Sequence, residues 1–315
     1  MRSVVVIAEA GKKSGMGHVV RQFALCRLLG IQDKVTAYIQ SDWTDKEVKG
    51  IDFLFDTYYL VKHTSVALEQ VAEGTLILLD AYNLDIEKVN KLKEDKKLQI
   101  IFVADVHKEV PNCDVLINHL PWIKSDDYSS AVISKRLLGP KYAILRAPFY
   151  SQKKNADKKR ILICLGGSDI EPQIAKIVKA LQEHGFPSHK IDVLHNKPIQ
   201  EVPIENLHYN LNAEQVYSLI SDAHICFITP GNISYEVFSI NRTVIMGYVS
   251  ESQKEVVKQF HDMGLSYDVG EWNSADFKNL SVWIIKAEDT KNCQASFFKD
   301  LHLSNIKNEL SLYIS

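Results

Sequence analysis

The sequence predicts an α/β protein built from two doubly wound, mostly parallel lobes. Three observations predict it. Short apolar runs alternate with helix-period segments along most of the chain. The most polar stretch, Ser151 to Arg160, interrupts this alternation near the middle, and a second series starts behind it. Polar or glycine-bearing loops follow several of the strand-like runs, where ligands of doubly wound sheets bind. At 315 residues the chain has the length for two domains, expected at 1–150 and 151–315.

The elements follow from the residue pattern in order. Val4 to Ala8 is a continuous apolar run, as in a strand covered on both faces, and Glu9 ends it too early for a signal peptide. A helix follows, with Val19, Phe23 and Cys26 at helical spacing. Val35 to Ile39, Phe53 to Phe55, Leu76 to Leu79, Ile100 to Val103 and Val115 to Ile117 read as further strands, with helices at His63 to Val71 and Asp85 to Leu92. In the second lobe Arg160 to Leu165, Ile191 to Leu194, His224 to Ile228 and Val244 to Gly247 read as strands. Its helices are expected at Ile174 to Leu181, Ala213 to Ile220, Ile233 to Phe238 and Lys254 to Met263.

Composition narrows the function classes. Lys and Arg number 37 against 39 Asp and Glu, so a net charge of −2 gives no global pull toward nucleic acid or an anionic membrane. The hydrophobic share of 46% suits a packed globular protein, and no apolar run approaches the ~20 residues of a membrane span. Five scattered cysteines (Cys26, Cys113, Cys164, Cys226 and Cys293) lack metal or redox spacing and read as buried thiols of a reducing compartment. The expectation is a cytoplasmic monomer with no nucleic-acid partner and no membrane insertion.

Chemistry concentrates first in Ser14-Gly15-Met16-Gly17-His18-Val19-Val20-Arg21. Gly15 and Gly17 let backbone approach a ligand, and the helix start behind them offers unpaired N–H groups and a partial positive charge. That positive end keeps the His18 ring neutral, and a neutral histidine facing an open cleft is a candidate general base. Arg21 shares its helix face. The plainer reading is a strand-glycine-helix turn, as in most α/β proteins, with His18 as a cap or surface residue. The block is neither a Walker loop nor a full dinucleotide fingerprint. Asp80, Tyr82, Asp105 and Asn118 all fall at strand ends, where they are either ordinary turn formers or parts of one crevice with the His18 loop.

Two loops stand out in the second lobe. Leu165-Gly166-Gly167-Ser168-Asp169 follows its first strand, and Thr229-Pro230-Gly231-Asn232-Ile233-Ser234-Tyr235-Glu236 opens a helix. Amides of Gly231, Asn232 and Ile233 are placed to cradle a diphosphate. Glu236, one turn along, is either a ribose acceptor or a capping carboxylate.

Taken together these pieces resemble the UDP-sugar hydrolase family of pseudaminic acid biosynthesis, which acts on UDP-2,4-diacetamido-2,4,6-trideoxy-β-L-altropyranose. They are more distantly similar to the UDP-N-acetylglucosamine transferase of peptidoglycan synthesis. The likeness is carried by Gly15 to Arg21, Asp80-Ala81-Tyr82, Cys113 to Asn118, Leu138-Gly139-Pro140-Lys141-Tyr142-Ala143-Ile144-Leu145-Arg146, the Gly167-Ser168 loop and the Gly231 to Glu236 helix start. The resemblance implies a GT-B fold, two Rossmann-like domains facing across a cleft, with UDP on the C-terminal domain and the sugar toward the N-terminal one. It makes His18 the catalytic base, with Tyr82 lining the sugar site and Glu236 on the ribose. It further implies action without a metal ion or cofactor, and a last helix, Ile306 to Ile314, crossing back to the first domain. Departures lie at Ile7-Ala8-Glu9, where the family carries Arg-x-Asp, and at Ala104-Asp105, where it carries Asp-Asp. Pro230-Gly231-Asn232 replaces its serine-bearing phosphate loop, and Ser252-Gln253 stands for its Asn-Gln pair, which adds Gln253 to the substrate-binding candidates. Hydrolysis of a UDP-linked deoxy amino sugar is the leading expectation. A UDP-sugar glycosyltransferase and an inactive nucleotide-sugar-binding subunit are the alternatives.

Overall fold

In a computed structural model, the protein is described over residues 3–11, 14–43, 54–104, 109–151, 158–166, 170–195, 199 and 206–314. The chain forms two compact units, 1–147 with 301–315, and 148–300. The first contains β1 (Val4–Ala10), α1 (Gly17–Leu29), β2 (Val35–Ser41), β3 (Tyr58–Val61), α2 (Thr64–Gln70) and β4 (Leu76–Asp80). It continues with α3 (Ile86–Asp95), β5 (Gln99–Val103), β6 (Cys113–Asn118) and β7 (Ile133–Leu138). Among the described residues its strands pair in the order β3-β2-β1-β4-β5-β6-β7, every pairing parallel.

The second unit contains β8 (Arg160–Cys164), α4 (Glu171–Glu183), β9 (Ile191–Leu194), β10 (Leu207–His208), α5 (Ala213–Asp222) and β11 (Ala223–Ile228). It ends with α6 (Asn232–Ser239), β12 (Thr243–Tyr248), α7 (Glu251–Asp262), β13 (Tyr267–Glu271), α8 (Leu280–Glu288) and α9 (Thr290–Phe297). The parallel order is β10-β9-β8-β11-β12-β13. Both sheets thus step outward from their first strand one way and then the other, which is the Rossmann order. The last helix, α10 (Leu303–Ile314), packs on α1 and buries Ile306 and Leu310.

Interior strands bury completely, as continuous apolar runs must between two helix layers. β1 and β4 are covered along their whole length, and Ile7, Ile77, Leu79 and Ile100 belong to one core. In the second unit Ile163, Phe227, Ile245 and the fully buried Trp272 form the counterpart. One expected strand is corrected: Phe53 lies outside the described residues, Phe55 is in no strand, and the strand here is β3. Phe55 is apolar because it plugs the core against Phe23, with ring centroids 5.5 Å apart. Burial pushes the Cys26 and Cys113 thiols up to about 12, so neither is a nucleophile near neutral pH.

Candidate functional site

The strand order of the first unit's sheet reverses between β1 and β4, and a crevice at such a point is where ligands of this topology sit. Behind β1 the chain closes a tight loop, Gly11 and Gly15 exchanging backbone hydrogen bonds of 3.2 and 2.8 Å. Gly15 sits at φ +65°, a left-handed conformation that a side chain would strain. The loop delivers the chain to α1, on which His18, Arg21 and Gln22 stand at i, i+3 and i+4 and so share a face. That face meets Asp80, the last residue of β4.

All four side chains are buried. The Asp80 carboxylate accepts from His18 Nδ1 at 2.7 Å, Arg21 Nε at 2.8 Å, Arg21 Nη2 at 2.7 Å and Gln22 Nε2 at 3.3 Å. A carboxylate only accepts, so the His18 proton on this side is on Nδ1, and the Arg21 Nη2 atom 3.2 Å from Nδ1 is a contact, not a bond. Arg21 grips both oxygens, which is the strongest arrangement for a buried ion pair. Burial alone would raise the Asp80 carboxyl. The Arg21 guanidinium and then the His18 ring outweigh it and hold the group well below the usual carboxylate range.

Tyr82, two residues beyond Asp80, meets the His18 ring edge-on with centroids 4.4 Å apart. His18 is only 5% exposed whereas Tyr82 is 37% exposed. The histidine expected to face an open cleft is thus largely covered in its own unit: α1 presses its polar face onto Asp80, and Tyr82 edges the ring. Asn118 also departs from the crevice. Its amide donates to Tyr128 Oη at 2.6 Å and its oxygen accepts Leu120 N–H at 2.9 Å, so it folds its own turn. Asp105 lies outside the described residues.

Sequence reasoning missed Gln22 and gave Glu9 no role. Gln22 was legible as the i+4 neighbour of His18. Glu9 was legible as a charge on a strand otherwise apolar from Val4 to Ala8, a place where a carboxylate must find donors. It accepts from Tyr82 N–H at 3.0 Å, Asn83 N–H at 3.3 Å and Asn83 Nδ2 at 3.2 Å. Beside these residues lies a pocket of about 310 Å³, lined by Asp80, Tyr82, Leu84, Ile86, Phe102 and Val110 among others. That volume is at the small end for ligand pockets.

The second unit repeats the arrangement at its own reversal between β8 and β11. Thr229 Oγ1 donates to the Leu165 carbonyl at 3.0 Å, tying the two loops together. Gly231 N–H donates to Ser234 Oγ at 3.2 Å, and Ser234 N–H returns to the Gly231 carbonyl at 3.0 Å. The Gly231 amide is thus spent inside its own cap, and α6 begins at Asn232. Tyr235 and Phe238 anchor this helix against Phe260 of α7, at 5.7 and 5.2 Å between centroids. Glu236 is 2% exposed. Gln253 accepts Val249 N–H at 3.0 Å and so closes the turn into α7. His195, buried at the end of β9, lies 3.2 Å from the Gly166 carbonyl and 3.3 Å from Glu171 Oε1. Gly167 and Ser168 lie outside the described residues.

Among the described residues no group of three or more His, Cys, Asp and Glu side chains stands together as a metal site, and no helix is long and apolar enough to cross a membrane. No protein-family model matches the chain. The chain is 24% identical over 291 residues to the spore coat polysaccharide biosynthesis protein SpsG of Bacillus subtilis (strain 168), covering 85% of this chain and 83% of that one. Among solved structures it is similar to the spinosyn rhamnosyltransferase SpnG complexed with thymidine diphosphate, at TM-score 0.63 and 10% identity over 99% of this chain and 100% of that one. It is also similar to MurG of Acinetobacter baumannii, at TM-score 0.56 and 12% identity over 98% of each chain. The fold is GT-B, two Rossmann-like domains with parallel sheets and interleaved helices.

Proposed function

We propose that the protein is an enzyme of polysaccharide biosynthesis that breaks the bond between UDP and a sugar, passing the sugar to an acceptor hydroxyl. The observation that carries this reading is the buried His18-Asp80-Arg21 cluster at the reversal point of the first sheet. With Nδ1–H given to Asp80, the other ring nitrogen is the basic one. It takes the proton of the attacking hydroxyl, and Asp80 stabilises the imidazolium that forms, the role a carboxylate plays behind a histidine base. Arg21 balances the Asp80 charge, so the ring is backed by a compensated ion pair. Tyr82 lines the sugar side.

In this reading the second unit holds the nucleotide. The leaving diphosphate gathers charge as the bond breaks, and the start of α6 at Asn232 and Ile233 stabilises it through preorganised N–H groups. Glu236 serves the ribose. Similarity to the spore coat polysaccharide biosynthesis protein SpsG supports the biosynthetic role, and the fold shared with the rhamnosyltransferase SpnG supports transfer. Hydrolysis, with water as the acceptor, is the second reading, favoured by the Gly15–Arg21 block and Asp80-Ala81-Tyr82 on which the hydrolase resemblance rests.

A panel of UDP-sugars, assayed for released UDP with and without candidate acceptor glycans, separates the two. Release that needs an acceptor supports transfer, and equal release without one supports hydrolysis. UDP binding with no release from any sugar contradicts both.

A further inference from the structure

Glu9 is the one charged residue of the otherwise apolar β1, and a buried carboxylate there is costly unless donors surround it. Its three hydrogen bonds all come from a single dipeptide, Tyr82-Asn83. Two are backbone N–H groups, so they fix the path of the chain and not merely a side chain. Tyr82 is thereby held from both sides in sequence. Asp80, two residues earlier, is locked by Arg21 and His18, and Glu9 locks the peptide that follows. Between those anchors the tyrosine ring has one wall to form. It stands edge-on to His18 at 4.4 Å and lines the pocket of about 310 Å³.

We propose that Glu9 is a positioning residue that fixes Tyr82 against the His18 ring, setting the face that the base and the adjoining pocket share. The proposal rests on the reading of His18 as the base. The chemistry makes it specific to a carboxylate. A glutamine in the same place has one acceptor oxygen and no charge, so the bonds from Tyr82 N–H and Asn83 N–H weaken, and its NH2 meets Asn83 only after the Asn83 amide turns over. Exchanging the partners as well, Glu9→Gln with Asn83→Asp, restores the side-chain bond with donor and acceptor reversed.

The test uses the full-length protein labelled with 13C-histidine, the His18 resonance being assigned through His18→Asn. Tyr82→Ala gives the position of that resonance when the neighbouring ring is gone. In Glu9→Gln the His18 signal is expected to move most of the way toward the Tyr82→Ala position, and the paired variant to bring it at least half-way back. On a turned-over UDP-sugar, kcat should fall on the order of tenfold to a hundredfold while KM stays within about threefold, as a small misplacement near a reacting group does.

A folded Glu9→Gln protein whose His18 signal stays at the wild-type position overturns the proposal. If Glu9→Gln does not fold, a paired variant that folds with a wild-type His18 signal supports it. A pair that unfolds like the single variant assigns Glu9 to the fold and overturns it. A wild-type protein that turns over no UDP-sugar removes the proposed function, yet the ring signal still decides the role of Glu9.

Discussion

Asp80 is the residue on which the first unit's chemistry turns, because it converts an arginine and a histidine into one buried, charge-balanced group. Replacing it with asparagine leaves the Arg21 guanidinium buried without its counter-charge, a change that costs about 3–5 kcal/mol. The same substitution puts an amide where the ring's Nδ1–H needs an acceptor. The folded Asp80 carboxyl titrates below its unfolded value, which is about 3.9. Its contribution is therefore fully present above about pH 4 and is lost as pH falls through the folded value. Urea midpoints measured from pH 6 downward should fall more steeply for the wild type than for Asp80→Asn once pH drops below about 4. Parallel curves would contradict the cluster's charge assignment.

At the scale of elements, the strands legible in the sequence are those with neighbours on both sides. β1, β2, β4, β5, β6, β8, β9, β11 and β12 carry the apolar runs the pattern picks out. The strands it misplaced or missed are β3, β7, β10 and β13, and these are the four sheet edges. An edge strand has no need of a continuous apolar run. β7 carries Lys135 and Arg136, and β13 carries Asp268, Gly270 and Glu271. The site divides in the same way. His18, Arg21, Asp80 and Tyr82 were legible from spacing and strand ends, whereas the Glu9 contacts join residues 73 and 74 positions apart, a separation no local pattern encodes. Gly247 of β12 marks a close approach of another kind. A Cβ there would lie 2.7 Å from the Gly270 carbonyl oxygen and 2.8 Å from the Trp272 ring. Gly247→Ala should destabilise the protein by about 1–3 kcal/mol through overpacking, measured by chemical denaturation. An unchanged midpoint would mean that β13 can retreat at no cost.

Across the whole molecule the same strand order is used twice, and the polar stretch between the series made the two lobes visible in the sequence. The destination of α10 was not visible in the residues, because an amphipathic helix specifies a covered face and not which lobe covers it. In the structure it belongs to the first unit. Ile306 and Leu310 are buried, Asn305 Nδ2 donates to the Lys141 carbonyl at 3.1 Å, and Glu309 pairs with Lys135. Removing residues 301–315 withdraws apolar side chains worth about 1.5–3 kcal/mol each. Hydrogen exchange should then show lost protection in α1 and unchanged protection in β11 and α6, whereas equal loss in both units would contradict the division. Cleavage of a UDP-sugar by this protein depends on His18 acting as the base. UDP release by His18→Ala, read beside its affinity for UDP alone, tests that most directly. Turnover should fall by about 10²–10⁴ while the Kd for UDP stays within about threefold. Near-wild-type release from the variant would contradict it.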